Sequence, residues 1–402
     1  MKILATGEWL SRERIFRIAS LCAVASFLII AFLFATSNGT LDQWGRPLGT
    51  DFSNVWAAGH MALEGNAAKA WSWPDHFAVQ QWVHRKADVD FFGWHYPPPF
   101  LLVASLLALL PYVPALIIWQ IATLAPFTWL MWRLVPRRET ILLTLAAPVT
   151  LICLMSGHNG FLTAFLLGGG LALMDRRPLL AGMLFGCLVY KPQFALIIPP
   201  LLLATRNWRA VLGAAASSGA LIGLTLEIWG WPVWQAFIDS VPLTRNVVIE
   251  QGSTGFHKIM SPFAAIRMWG GAVPLAYAVQ GAATALCVAA VAWVGWFGKA
   301  ANIRNALTCA AVLLSTPYVL DYDYVVLLPA IAFLWLDAKE NGWLEWDKSL
   351  LAFAWIVPLA ARQIAEFTYL PVCLASAVAI LAISLRRAVS RVEQLASAPA
   401  IA

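Results

Sequence analysis

Apolar runs long enough to span a bilayer recur along nearly the whole chain. Only three polar stretches interrupt them: 37–96, 230–260 and a short one at 337–349. A run of about twenty apolar residues crosses hydrocarbon as a helix, because in lipid every backbone N–H and C=O must be satisfied within its own segment. With 60% hydrophobic and 12% charged residues, the chain has no polar stretch that could form a separate soluble catalytic domain. The expectation is an all-α polytopic membrane protein, a single membrane domain over 1–402 with about ten to twelve transmembrane segments. A structured first outer loop at 37–96 and a second at 230–260 complete it.

The formal charge of +6 does not point to nucleic acid, because Lys and Arg cluster in short loops of the kind held cytoplasmic by the positive-inside rule. Arg12, Arg14 and Arg17 precede the first apolar run, Ile18 to Ala35. That run is long for a signal-peptide core and has no clear small-residue cleavage site after it, so it reads as an uncleaved helix with a cytoplasmic N-terminus. Trp44, Trp71, Trp73, Trp94, Trp229, Trp231 and Trp234 flank apolar runs and fit an interfacial belt. The six cysteines all lie in apolar runs, without disulfide or metal spacing.

Alternating the runs against the basic clusters gives a trace. Residues 97–132 are too long for one span and are broken by Pro111 and Pro114, so a short re-entrant piece at 97–110 followed by a full helix is expected. Residues 179–204 hold a central Lys191-Pro192 and both ends look cytoplasmic, so two short helices should meet near the outer side. Residues 272–297 return to Lys299 and Arg304, and two last spans fall near 350–366 and 369–385. On this trace Asp51, His95, His158, Lys191, the 230–260 loop, Asp321 and Asp323 share the non-cytoplasmic side.

Residues 51–64 read as a short interfacial helix, with Phe52, Val55, Trp56, Gly59 and Leu63 at helical spacing. Thr50 can cap it and Gly65 can end it, which puts Asp51 in the first turn, where the helix dipole favours its charge. Helix punctuation is the plain alternative for that aspartate. Lys191 interrupts an apolar run, and an intramembrane ionisable residue is a functional candidate suited to a phosphate; snorkelling to the interface is its alternative. His95 and His158 can donate to phosphate or carry protons. Arg245, Asn246, His257 and Lys258 make the second loop mildly basic. Asp321 and Asp323 form an Asp-x-Asp pair, a weak metal signal, and no metal or cofactor is assigned.

An ordered set of motifs accompanies these residues. Asp51 opens Asp-Phe-Ser-Asn-Val-Trp-Ala-Ala-Gly, and Gly65 follows. Next come Tyr96-Pro97-Pro98-Pro99-Phe100, Leu110-Pro111, Gly157-His158-Asn159-Gly160, Ala181-Gly182, Lys191-Pro192 and Arg206-Asn207-Trp208. Thr316-Pro317 with Tyr322-Asp323-Tyr324 closes the series. Over about 45–340 the chain resembles glycosyltransferase family 87, polyprenyl-phosphate-sugar-dependent membrane enzymes of the GT-C fold. His158 stands where Gln is expected and Thr316 where Ser is commoner. The resemblance implies a GT-C-like helical bundle in the plasma (inner) membrane. It implies a hexosyltransferase, mannose favoured, moving sugar from a polyprenyl-phosphate donor to an envelope glycan or glycolipid acceptor on the outer face. Asp51 is then the general base, worth about 10²–10⁴-fold, in an inverting single displacement; retention would need a second carboxylate, for which Asp42 or Asp323 stands open. Lys191, His95, His158, Asn159, Arg245, His257 and Asp323 are the expected substrate and donor-phosphate residues. A transporter or lipid flippase with broken helices around a midplane site is the alternative.

Overall fold

The computed structural model describes residues 1–297 and 300–397; Lys299 lies outside the described residues. The described chain is helical, with isolated bridges in place of strands. Five helices are long and apolar enough to cross a membrane: Arg12–Ala35, Tyr112–Leu134, Trp208–Trp229, Val273–Phe297 and Val372–Arg391. Two further spans are bent pairs, Arg138–Leu145 with Pro148–Ser156 at 52° and Asp347–Leu359 with Ala361–Thr368 at 78°. Shorter apolar helices complete the bundle, among them Pro99–Ala108, Gly160–Leu173 and Ala301–Leu314. The expected all-α polytopic architecture is present, with five spanning helices, or seven spans if each bent pair is one, and other apolar runs forming shorter helices.

The breaks fall where the sequence forces them. Pro111 cannot supply a helical N–H, and the chain stops at Ala108 before starting again at Tyr112. The short Pro99–Ala108 helix lies against Phe52–Leu63, so closely that a Cβ on Gly59 would sit 2.0 Å from the Ala104 carbonyl oxygen. Likewise Pro178–Gly186 and Pro192–Ala195 meet around Lys191. The apolar run at 350–366, expected as one span, turns sharply at Ala360. The 230–260 stretch is mostly ordered, as the Trp231–Thr244 helix and a π-helical turn over Arg245–Glu250.

Helix Arg12–Ala35 starts at Ser11, whose hydroxyl accepts the Arg14 N–H at 3.2 Å. Only Ala19 and Ser26 of its residues are buried, so nearly the whole helix faces outward, as a lipid-exposed span should. The tryptophans divide. Trp44 and Trp231 are exposed, but Trp71 and Trp94 are core residues, Trp94 stacked on Phe100 at 5.7 Å. Large aromatic area favours burial when a partner ring is at hand. All six cysteines are free.

Helices Pro178–Gly186 and Trp208–Trp229 pack backbone to backbone through small residues. A Cβ on Gly182 would come within 2.0 Å of the Ala210 carbonyl oxygen, and one on Gly213 within 2.2 Å of that of Leu179. Gly182→Val is expected to cost about 1–3 kcal/mol by overpacking, seen as a lower unfolding temperature in detergent. An unchanged transition would show that this contact is slack.

Two polar ends result. Helix Gly160–Leu173 follows Asn159, which accepts a hydrogen bond from Lys191, and precedes Asp175, which pairs with Arg304. The two contacts are about 20 Å apart at 1.5 Å per residue. The Asp175 end also holds Arg12 against Glu139 and a buried cluster in which Arg387 binds Asp337 and Asp347. The Asn159 end gathers the remaining candidates.

A carboxylate between two closed ion pairs

Asp51 occupies the N-cap position of Phe52–Leu63, yet its side chain makes no capping hydrogen bond. Its backbone N–H donates to the Ser156 carbonyl at 2.9 Å, which locks the helix start to the Gly157-His158 turn. The Tyr322 hydroxyl is the group beside it that favours the charged carboxylate. Punctuation is therefore not what this side chain does. Loss of hydration pushes its pKa up to about 6; the Tyr322 hydroxyl and Arg362 work against that, Asp321 and Asp323 with it. The residue as a whole keeps partial exposure.

Tyr322 lies in a tight turn, Asp321–Val326, that follows Thr316-Pro317. The turn directs its two aspartates to different cations. Asp321 accepts two hydrogen bonds from Arg362, from Nε and Nη2, each 2.9 Å, the planar fork geometry that Arg suits. Asp323 accepts from Lys191 Nζ at 2.5 Å and from the Leu320 N–H at 3.0 Å. Lys191 also donates to Asn159 Oδ1 at 3.1 Å. Between the pairs, the Tyr322 ring stacks on His158 with centroids 3.7 Å apart. His158 Nε2 is 2.9 Å from the Tyr96 hydroxyl, and its Nδ1 has no hydrogen-bond partner among the described residues.

The structure thus brings Asp51, His158, Asn159, Lys191 and Asp323 together. Lys191 is buried and paired with Asp323, so its charge already has a partner in this structure. His95 bonds the Thr244 hydroxyl through Nδ1 at 3.0 Å, and burial lowers its pKa to about 4, so at neutral pH it is an uncharged donor or acceptor. His257 is partly exposed beside Lys258 and feels Glu366, Arg362 and Asp321. Arg245 pairs with Glu250 at 3.2 Å on an exposed face and is not part of the cluster. Asp42 accepts from the Trp44 and Arg46 N–H groups and from the Arg46 side chain; it organises its own turn. Asp321 and Asp323 are held by side-chain cations, and among the described residues no group of three or more His, Cys, Asp or Glu side chains is set to hold a metal.

Arg362 completes the site without having been singled out from sequence, and Tyr96 and Tyr322, noted there only as members of motifs, join it. Arg362 carried a signal nonetheless, since it is a cation inside an apolar run, which is costly in hydrocarbon unless partnered.

The family model of glycosyltransferase family 87 matches residues 94–317. Comparisons with curated proteins and with solved structures give no match. The matched segment holds Tyr96, His158, Asn159 and Lys191, while Asp51, the Asp321–Asp323 turn and Arg362 reach the same site from either side of it. Since the match covers more than half of the chain, this membrane protein belongs to glycosyltransferase family 87.

Proposed function

We propose that this glycosyltransferase moves a hexose, mannose favoured, from a polyprenyl-phosphate sugar to a glycan or glycolipid acceptor of the cell envelope. Asp51 acts as general base on the non-cytoplasmic face of the plasma membrane. The observation that carries this reading is the Asp51 carboxylate, uncoupled from its own helix, raised to about 6 by loss of hydration and partly exposed beside Tyr322. A catalytic base works best with a pKa near the working pH.

The acceptor O–H gives its proton to Asp51 as the oxygen attacks the anomeric carbon. The anomeric C–O bond to phosphate breaks, and polyprenyl phosphate leaves with the electron pair. A nucleophilic carboxylate for a retaining route is hard to find: Asp42 is engaged in its turn and Asp323 in its pair. Inversion by single displacement is the better fit. Developing charge on the phosphate needs donors; Lys258 and His257, with the partly exposed edge of Arg362, stand at the rim of the site.

The orientation is supported by the opposite end, where Arg12, Arg137, Arg138, Arg176, Arg177, Arg206 and Arg209 concentrate, as expected for a cytoplasmic side. Nucleotide sugars are cytoplasmic, so an outward-facing site needs a donor carried across by lipid. Membership in a transferase family removes the support for the flippase alternative.

The test is transfer by purified protein in liposomes, offered polyprenyl-phosphate mannose, polyprenyl-phosphate glucose and the corresponding nucleotide sugars. Product from a lipid-linked donor alone is expected; product from a nucleotide sugar alone would overturn the donor assignment. The pH profile is a second check. Asp51 must be ionised to accept a proton, so kcat/KM should fall tenfold per unit as pH drops below about 6 and level off above it. A profile flat down to pH 4.5 would exclude Asp51 as the base.

A further inference from the structure

At the end of the bundle opposite Asp51, a cavity of about 370 Å³ opens between the Ile198–Ala204 and Val273–Phe297 helices, lined by Asp175, Arg206, Trp296 and Arg304 among others. Its charges are differently disposed. Arg304 is buried and donates from both Nη atoms to Asp175, at 3.1 and 3.0 Å. The Asp175 side chain remains 52% exposed, so its carboxylate can still accept from a ligand. Arg206 is exposed, and its side chain makes no hydrogen bond or ion pair among the described residues. Its guanidinium lies 4.3 Å over the Trp296 ring, on a backbone held at φ 53°. A non-glycine residue in that region is uncommon, and the side chain lies among the residues that line the cavity. Trp296 of the lining and its chain neighbour Phe297, with Leu203 and Trp208 that flank the lining segment 204–207, are all more than half exposed.

A free cation, a neighbouring acceptor and a polar cavity under an apolar rim are complementary to one kind of molecule. We propose that this cavity binds the headgroup of a membrane glycerophospholipid. The phosphodiester rests on Arg206, a hydroxyl or ammonium of the headgroup donates to Asp175, and the acyl chains cover the exposed aromatic rim. Basic pockets between helices near a membrane face are suited to such headgroups. A water-soluble phosphate would satisfy Arg206 and leave the rim bare. A headgroup without donors, such as phosphocholine, would leave Asp175 unmatched.

Native mass spectrometry of the full chain released from nanodiscs tests this by counting retained lipid. In discs containing phosphatidylglycerol or phosphatidylethanolamine, one tightly held lipid is expected, with phosphatidylcholine retained much less. Arg206→Ala should lower retention about tenfold, the loss of one charge-assisted contact. Because Arg206 is exposed, this variant should fold normally. Arg133→Ala is the comparison, since Arg133 also lies over a tryptophan, Trp129 at 5.9 Å, but lines no part of this cavity; it should leave retention unchanged. Equal loss in both variants, equal retention of phosphatidylcholine, or displacement of the lipid by millimolar inorganic phosphate would each overturn the proposal. The first would mean diffuse surface attraction and the last a small-anion site.

Discussion

Asp51→Asn is expected to reduce sugar transfer by about 10²–10⁴-fold while the protein remains folded and membrane-inserted. Asparagine keeps the size and can accept a hydrogen bond from Tyr322, but it cannot take up the acceptor's proton. Stability should be unchanged or slightly higher above pH 6, because the carboxylate sits where loss of hydration disfavours its charge. The helix start does not depend on the side chain, since the anchoring bond runs from the Asp51 backbone N–H to Ser156. Measuring kcat, KM and the unfolding temperature together separates the possibilities. A fall in kcat with an intact transition supports the base. Near-normal kcat would remove Asp51 from the chemistry, and a collapsed transition would reassign it to the fold. Asp51→Glu should recover little, because one added methylene displaces the carboxylate from Tyr322.

The largest effect on stability is expected at the Lys191–Asp323 pair. Both side chains are nearly inaccessible, and removing one partner leaves a buried charge unmatched. Asp323→Ala should cost about 3–5 kcal/mol and also frees the Leu320 N–H that the carboxylate caps. Replacing both partners, Lys191→Met with Asp323→Leu, removes both charges and should restore much of the loss, because an apolar pair of similar volume is often nearly neutral. The double-mutant cycle, read by thermal unfolding in one detergent, gives the coupling directly. A single mutant costing under about 1 kcal/mol would show that water reaches the pair, and Lys191 would again be available to a substrate phosphate.

The alternation of helices across the bundle was readable because it rests on local features. Arg clusters mark one end, and Pro111 and Lys191-Pro192 mark the interruptions. The helix after Asp51 was equally plain, since apolar spacing from Phe52 to Leu63 ends at Gly65. What stayed hidden depended on tertiary pairing. Nothing near Arg362 in sequence announces Asp321, 41 positions away, and only the bend at Ala360 carries the arginine to it. Lys191 was found, but its meaning changed, because a buried cation looks the same in sequence whether it awaits a ligand or already holds a carboxylate. Trp71 and Trp94 were misplaced for a similar reason, as flanking position alone does not distinguish a lipid-facing ring from one stacked inside.

The two closed pairs also bear on how charge moves during a turnover. Lys191 with Asp323 and Arg362 with Asp321 each sum to zero, so among these five groups Asp51 carries the charge that is not already paired. In the proposed reaction the phosphodiester arrives as a monoanion and gains one negative charge when its sugar departs. Asp51 loses one in the same event, by taking the acceptor's proton. The total is equal before and after the bonds change, so no counter-ion has to follow the reaction. The debt falls on product release, when a protonated carboxylate must return its proton to bulk water through the opening that leaves Asp51 partly exposed.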